Sequence, residues 1–144
     1  MRVSDILREK GSDVKTVRQA ETIQALARRL HNDKVGVMVV IGAKGTIDGV
    51  ISERDVARGV AEHGASVADL PVANLMTKVV ITCAPADSIV SVARVMTQRR
   101  IRHLPVTEDG SLVGVISIGD VLKHRLEEMQ LEANVLRDYT IALK

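Results

Sequence analysis

The chain has 144 residues, 46% of them hydrophobic, with 20 basic and 18 acidic side chains giving a formal net charge of +2. That length fits one domain or two small units sharing a core, and so small a charge excludes a strong electrostatic pull toward nucleic acid or a membrane surface. Tyr139 is the sole aromatic, so the core must be Val, Ile, Leu, Ala and Met, and almost nothing is left to stack on bases.

Cys83 stands alone, which rules out an internal disulfide and points to a reducing compartment. The N-terminus lacks a charged-then-apolar leader pattern, and no apolar run approaches the ~18 residues of a membrane span. A soluble, cytoplasmic protein is therefore expected.

Taken in order, residues 3–8 read as a short amphipathic helix. Ile23, Leu26, Ala27 and Leu30 then keep the i, i+3, i+4, i+7 spacing of a helix with one buried face, and Thr22 before them is an N-cap residue type. Residues 35–41 and 47–51 are β-branched and apolar, as buried strands are, and Gly42-Ala43-Lys44-Gly45 between them is turn chemistry. A helix opens after Ser52 and is expected to end near Gly64. Residues 65–71 form a connector closing on Leu70-Pro71, and residues 72–76 look like the counterpart of the first short helix.

From there the chain repeats itself. Thr16 to Ile23 aligns with Thr82 to Ile89 at an offset of 66, and Ile89, Val92, Ala93 and Met96 restore the first helical stripe behind Ser88. Strands at 101–106 and 112–116 flank Glu108-Asp109-Gly110, and a helix opens after Ser117. Gly49 matches Gly114 at an offset of 65, so the second turn is one residue shorter. From Asp120 to about Leu136 there is no Gly or Pro, and Val121, Leu122, Leu126, Met129 and Ala133 continue an apolar stripe. A helix longer than its repeat requires is expected to pack on a partner subunit rather than return onto its own domain.

Both repeats close alike, in Gly49-Val50-Ile51-Ser52-Glu53-Arg54-Asp55 and Gly114-Val115-Ile116-Ser117-Ile118-Gly119-Asp120. Each places a Ser at the N-cap of a helix and an Asp in its first turn. Unpaired backbone N–H groups and the positive end of the helix dipole favour an anion there, and a carboxylate one turn in is placed to accept from a ribose diol. The plainer reading of Asp55 and Asp120 is a pair of first-turn acids stabilised by the dipole. Recurrence with Ser three residues before favours the ribose role.

Two helix–strand–strand–helix units that each close in Gly-x-x-Ser-x-x-Asp resemble a tandem pair of cystathionine-β-synthase (CBS) domains, the Bateman module. Ser52-Glu53-Arg54-Asp55, Arg102-His103-Leu104-Pro105-Val106 and Ser117-Ile118-Gly119-Asp120 are similar to small stand-alone bacterial CBS-pair proteins. Such proteins are often labelled as related to inosine monophosphate dehydrogenase, but a catalytic barrel of roughly 200 residues or more does not fit in this chain. The resemblance implies an α+β fold, an α/β sandwich with pseudo-two-fold symmetry. Its parts would be repeat 1 at 1–64, a connector at 65–71, repeat 2 at 72–128 and a helical tail at 129–144.

It also implies adenosine ligands (AMP, ADP, ATP, NAD or S-adenosylmethionine) in two clefts between the repeats. Ile51, Ser52, Arg54 and Asp55 would hold ribose and phosphate in the first, with Thr82, Cys83, Arg102, His103 and Leu104 around the base. Ile116, Ser117, Gly119 and Asp120 would do so in the second, with Thr16, Val17, Gly36, Val37 and Met38. Arg54, Arg102 and His103 face Gly119, Gly36 and Val37 in this comparison, so the Asp55 cleft is expected to bind more tightly and with more phosphate dependence.

A homodimer or dimer of dimers is implied, with the helices after Ser52 and Ser117 forming the surface and an unknown downstream protein as the output. His103 reads either as a core imidazole or as a pocket wall, Arg99 as a solvated charge, and Cys83, opposite Val17, as a small buried hydrophobe. His31, His63 and His124 show no ligand spacing, so no metal is expected. No nucleophile elbow, Walker loop or dinucleotide fingerprint occurs, so neither an enzyme nor a required cofactor is expected. The competing class is a CBS scaffold for protein–protein interaction without a ligand.

Overall fold

The computed structural model describes residues 1–78 and 80–143. Its elements run α1 (Val3–Lys10), β1 (Thr16–Val17), α2 (Ile23–Asp33), β2 (Val37–Ile41), β3 (Ile47–Ser52), α3 (Glu53–His63), α4 (Ile89–Arg99), β4 (His103–Glu108), β5 (Ser111–Ser117) and α5 (Ile118–Ala142). The class is α+β, as expected. The chain gathers into two compact units, Asp13–Thr82 with Glu108–Val113, and Met1–Ser12 with Cys83–Thr107 and Gly114–Lys144.

In the unit that holds the first repeat, β1 runs parallel to β2, and β2 antiparallel to β3, with Val37 opposite Ser52 and Met38 opposite Ile51. Met38, Val39 and Val40 are all buried, which is why β2 reads as a continuous apolar run rather than an alternation. Ile23, Leu26 and Leu30 of α2 join Val17, Met38, Val40 and Ile51 in one core, closed by Val67 and Val72. Thr22 caps α2 by accepting from the Ala25 amide at 3.2 Å. Residues 72–74 form a single 3-10 turn rather than the short helix expected over 72–76. The Leu75 and Met76 amides still fold back on the Val72 carbonyl at 3.0 Å, but Thr77 exchanges both backbone hydrogen bonds with Val50 of β3, which ends the turn.

The second repeat builds its unit by the same rules. Cys83 bridges Val106 in parallel, giving its amide to Pro105 at 3.0 Å and taking that of Thr107 at 2.9 Å. Ser88 caps α4 through the Ser91 amide at 3.1 Å. Lys34 and Arg100 both end their helices in the left-handed conformation at φ 54°, so even this non-glycine stop is duplicated. Arg100 is thus a helix cap and Arg102 precedes β4, so strand alternation does not govern where their side chains point. Helix α1 belongs here too. Val3 and Ser4 donate to the Asp87 and Pro85 carbonyls, and Val3 and Ile6 are buried. The short helix heading the first repeat in sequence therefore completes the unit of the second.

Helix α5 runs unbroken from Ile118 to Ala142. Among the described residues no helix is long and apolar enough to cross a membrane.

Candidate functional site

Each repeat delivers its second strand directly into a helix, at Ser52 and at Ser117. The Ser52 amide donates to Asp55 Oδ2 at 2.8 Å and the Asp55 amide donates to Ser52 Oγ at 3.2 Å. Ser117 and Asp120 repeat the exchange at 2.9 and 3.0 Å. These are reciprocal capping boxes with Asp in the place usually taken by Glu or Gln, so the plain structural role of both acids is real.

A second shared device sits beside the box. The Glu53 amide donates to the Gly36 carbonyl at 3.0 Å, and the Ile118 amide to that of Arg102 at 2.7 Å. With the first and third helical amides so engaged, the Arg54 and Gly119 amides are those left at each helix start for an anion. The anion nest is therefore narrower than a bare helix terminus suggests.

The two acids differ in surroundings. Asp55 is 5% exposed, and its Oδ1 accepts from the Arg58 guanidinium one turn on. Asp120 is more open, and its Oδ2 also accepts from Lys10 Nζ at 2.7 Å, an ammonium that donates to the Val115 carbonyl as well. Burial works against a charged Asp120, yet Lys10 and Ser117 together hold its carboxyl below the usual carboxylate range. No local pattern in the sequence points to Lys10. It ends α1, which has no helical equivalent before the second repeat, so the internal comparison passes over it.

Thr16, Val17, Gly36, Val37, Met38, Ile51, Ser52, Arg54, Asp55 and Thr82 lie in one unit, and Cys83, Arg102, His103, Leu104, Ile116, Ser117, Gly119 and Asp120 in the other. Within the first, β-register sets Val37 and Met38 beside Ser52 and Ile51. Val17, Met38, Ile51, Leu104 and Ile116 are core side chains, so backbone groups are what they can offer a ligand. Arg54, Thr82 and Arg102 are exposed, and His103 is half-buried.

Cys83 is buried, and its thiol is pushed up to about 12 by burial, helped by the Asp87 charge. Its reaction with a water-soluble disulfide reagent at pH 8 is expected to be slower by about two orders of magnitude or more in the native protein than in denaturant. Equal rates would show the site to be open.

The histidines, scattered in sequence, are not all isolated in the fold. His124 is buried with Nε2 3.3 Å from Glu9 and Nδ1 3.9 Å from Glu127, and Nδ1 has no hydrogen-bond partner. Glu9 also accepts from Lys123 at 2.8 Å, which keeps its carboxyl below the usual range. These contacts fasten α1 to α5 and explain why α1 docks where it does.

The family model of the CBS domain matches residues 3–62 and 72–127. The chain belongs to the CBS domain family. It is similar to the solved CBS-domain containing protein ATU1752 from Agrobacterium tumefaciens, at 42% identity and a TM-score of 0.85, over 87% of this chain and 99% of that one. Among curated relatives, the CBS domain-containing protein CBSX3, mitochondrial, of Arabidopsis thaliana is 30% identical over 95% of this chain and 73% of its own length. The CBS domain pair of protein MJ0100, solved with 5′-methylthioadenosine and S-adenosyl-L-methionine, shares the fold at 22% identity, with a TM-score of 0.79 over 89% of this chain and 98% of that one.

Proposed function

We propose that this CBS pair is a regulatory module that binds adenosine ligands (AMP, ADP, ATP or NAD) at its two Ser-x-x-Asp helix starts. The observation that carries the reading is their duplication to the level of single hydrogen bonds. In each repeat the same Ser, the same Asp and one carbonyl before the preceding strand pair engage all but one of the leading amides. A carboxylate for a ribose diol then stands beside an amide for a phosphate. The ligands in the MJ0100 complex support the adenosine class. The base-wall assignments made by resemblance, Thr82, Cys83, Arg102, His103 and Leu104 for one ligand and Thr16, Val17, Gly36, Val37 and Met38 for the other, are part of this proposal.

In this reading the module performs no catalytic step, resides in the cytoplasm and works as a homodimer. It reports energy or redox state through a change of shape or partner affinity. A signal requires the ligand to prefer one of two arrangements.

A scaffold without ligand is the second reading, favoured by one observation. Arg58 and Lys10 already neutralise Asp55 and Asp120 within the chain, so neither acid needs a ligand to be satisfied. Thermal melting of nucleotide-free protein against AMP, ADP, ATP, NAD and S-adenosylmethionine separates the two. A ligand at 100 times its Kd adds about 2.7 kcal/mol if it binds only the folded state, a rise of roughly 5 °C or more at this chain length. No shift with any of them, from protein shown free of carried-over nucleotide, leaves the scaffold reading.

A further inference from the structure

Helix α5 carries two apolar faces. Val121 and His124 of one are buried against its own unit, while Leu122 and Leu126 of the other are 57% and 58% exposed. The exposed face continues through Met129, Ala133, Leu136 and Thr140 to Leu143, alternating steps of four and three residues throughout. That is the two-in-seven seam of a coiled coil, with Leu122, Met129, Leu136 and Leu143 at d and Leu126, Ala133 and Thr140 at a. The exposed Leu131, Val135 and Ile141 fall at f, c and b, outside this seam. Much of the seam, from residue 128 on, lies beyond the family-matched residues, so it is not accounted for by the CBS repeats.

We propose that this seam pairs with the same seam of a second copy, as a parallel, in-register two-stranded coiled coil. The flanking charges decide both occupant and direction. Glu132 falls at g and Arg137 at e, and both are exposed. A parallel pair sets Glu132 of each copy against Arg137 of the other, twice per dimer. An antiparallel pair centred near residue 131 sets Glu132 against Glu132 and Lys123 against Arg137, like against like. Arg137 donates to Asn134 on its own helix at 3.0 Å, a surface contact it can exchange for the carboxylate. The self-complementary g–e pattern selects a copy of this chain over an unrelated helix.

This inference deepens the homodimer part of the proposed function and is independent of ligand binding. Full-length protein is compared by sedimentation equilibrium as wild type, Glu132→Arg, Arg137→Glu and the double exchange. Each single exchange is expected to raise the dimer Kd by about tenfold, from two attractive pairs made repulsive, and the double exchange to restore it. Leu136→Cys, oxidised with diamide, is expected to yield a disulfide-linked dimer, because d faces d in a parallel pair. Wild-type protein, whose Cys83 is buried, is expected to yield none. A wild-type dimer that ignores the exchanges and does not cross-link through residue 136 overturns the seam and leaves the homodimer standing on another face. A monomeric wild type overturns both.

Discussion

Gly49→Ala is expected to destabilise the protein by about 1–3 kcal/mol, the range for overpacking a filled interior. Gly114→Ala, at the matching position of the second repeat, is expected to cost clearly less. A Cβ on Gly49 would meet the Thr77 carbonyl oxygen at 2.6 Å. That oxygen cannot yield, because Val50 and Thr77 exchange both backbone hydrogen bonds, at 3.0 and 2.8 Å, holding the chain after the connector against β3. A Cβ on Gly114 would meet Leu7 Cδ2, also at 2.6 Å, but this is the far end of a flexible side chain on α1. At this chain length the first loss lowers the melting temperature by about 3–10 °C. Urea denaturation of the two variants checks the ordering, and equal midpoints would show that the Thr77 bridge is not held tightly in solution.

That contrast shows where the sequence was legible. Repetition exposed what the repeats share. The caps Thr22 and Ser88, the apolar stripes of α2 and α4, and the boxes at Ser52 and Ser117 were all readable, since each rests on local spacing that occurs twice. What the repeats do not share stayed hidden. Helix α1 precedes the first repeat but packs with the second, and nothing local in residues 3–10 encodes which partner its buried Val3 and Ile6 choose. Lys10 reaches Asp120, and Glu9 reaches His124, across more than a hundred residues of sequence, at spacings without period. The strand expected from residue 101 begins only at His103, because a left-handed helix cap at Arg100 takes up the residues before it.

Removing Lys10 is expected to change which ligand the Asp120 site prefers, not whether it binds. The charge difference between the repeats, counted as Arg54 against Gly119, assigned tighter and more phosphate-dependent binding to Asp55. That count omitted an ammonium 2.7 Å from Asp120. A ribose diol approaching Asp120 competes with Lys10 for the carboxylate, and the displaced ammonium, on a flexible four-carbon stem, can turn to a phosphate. Lys10→Met is therefore expected to bind AMP about tenfold more weakly relative to adenosine, the loss of one charge-assisted contact at a half-exposed site. Asp120→Ala is expected to lose both ligands at that site by a larger factor, about tenfold or more per hydrogen bond to the carboxylate. Asp55→Ala should do the same at its own site and also lower stability by about 1–2 kcal/mol, since it strips a buried cap from the Ser52 amide. Asp55→Asn keeps an oxygen for that amide and separates folding from binding. Calorimetric titration of each variant with adenosine and with AMP decides the matter. An unchanged AMP-to-adenosine ratio in Lys10→Met would mean that the ammonium serves only to fasten α1 beside the capping box, and that the asymmetry assigned to Arg54 stands.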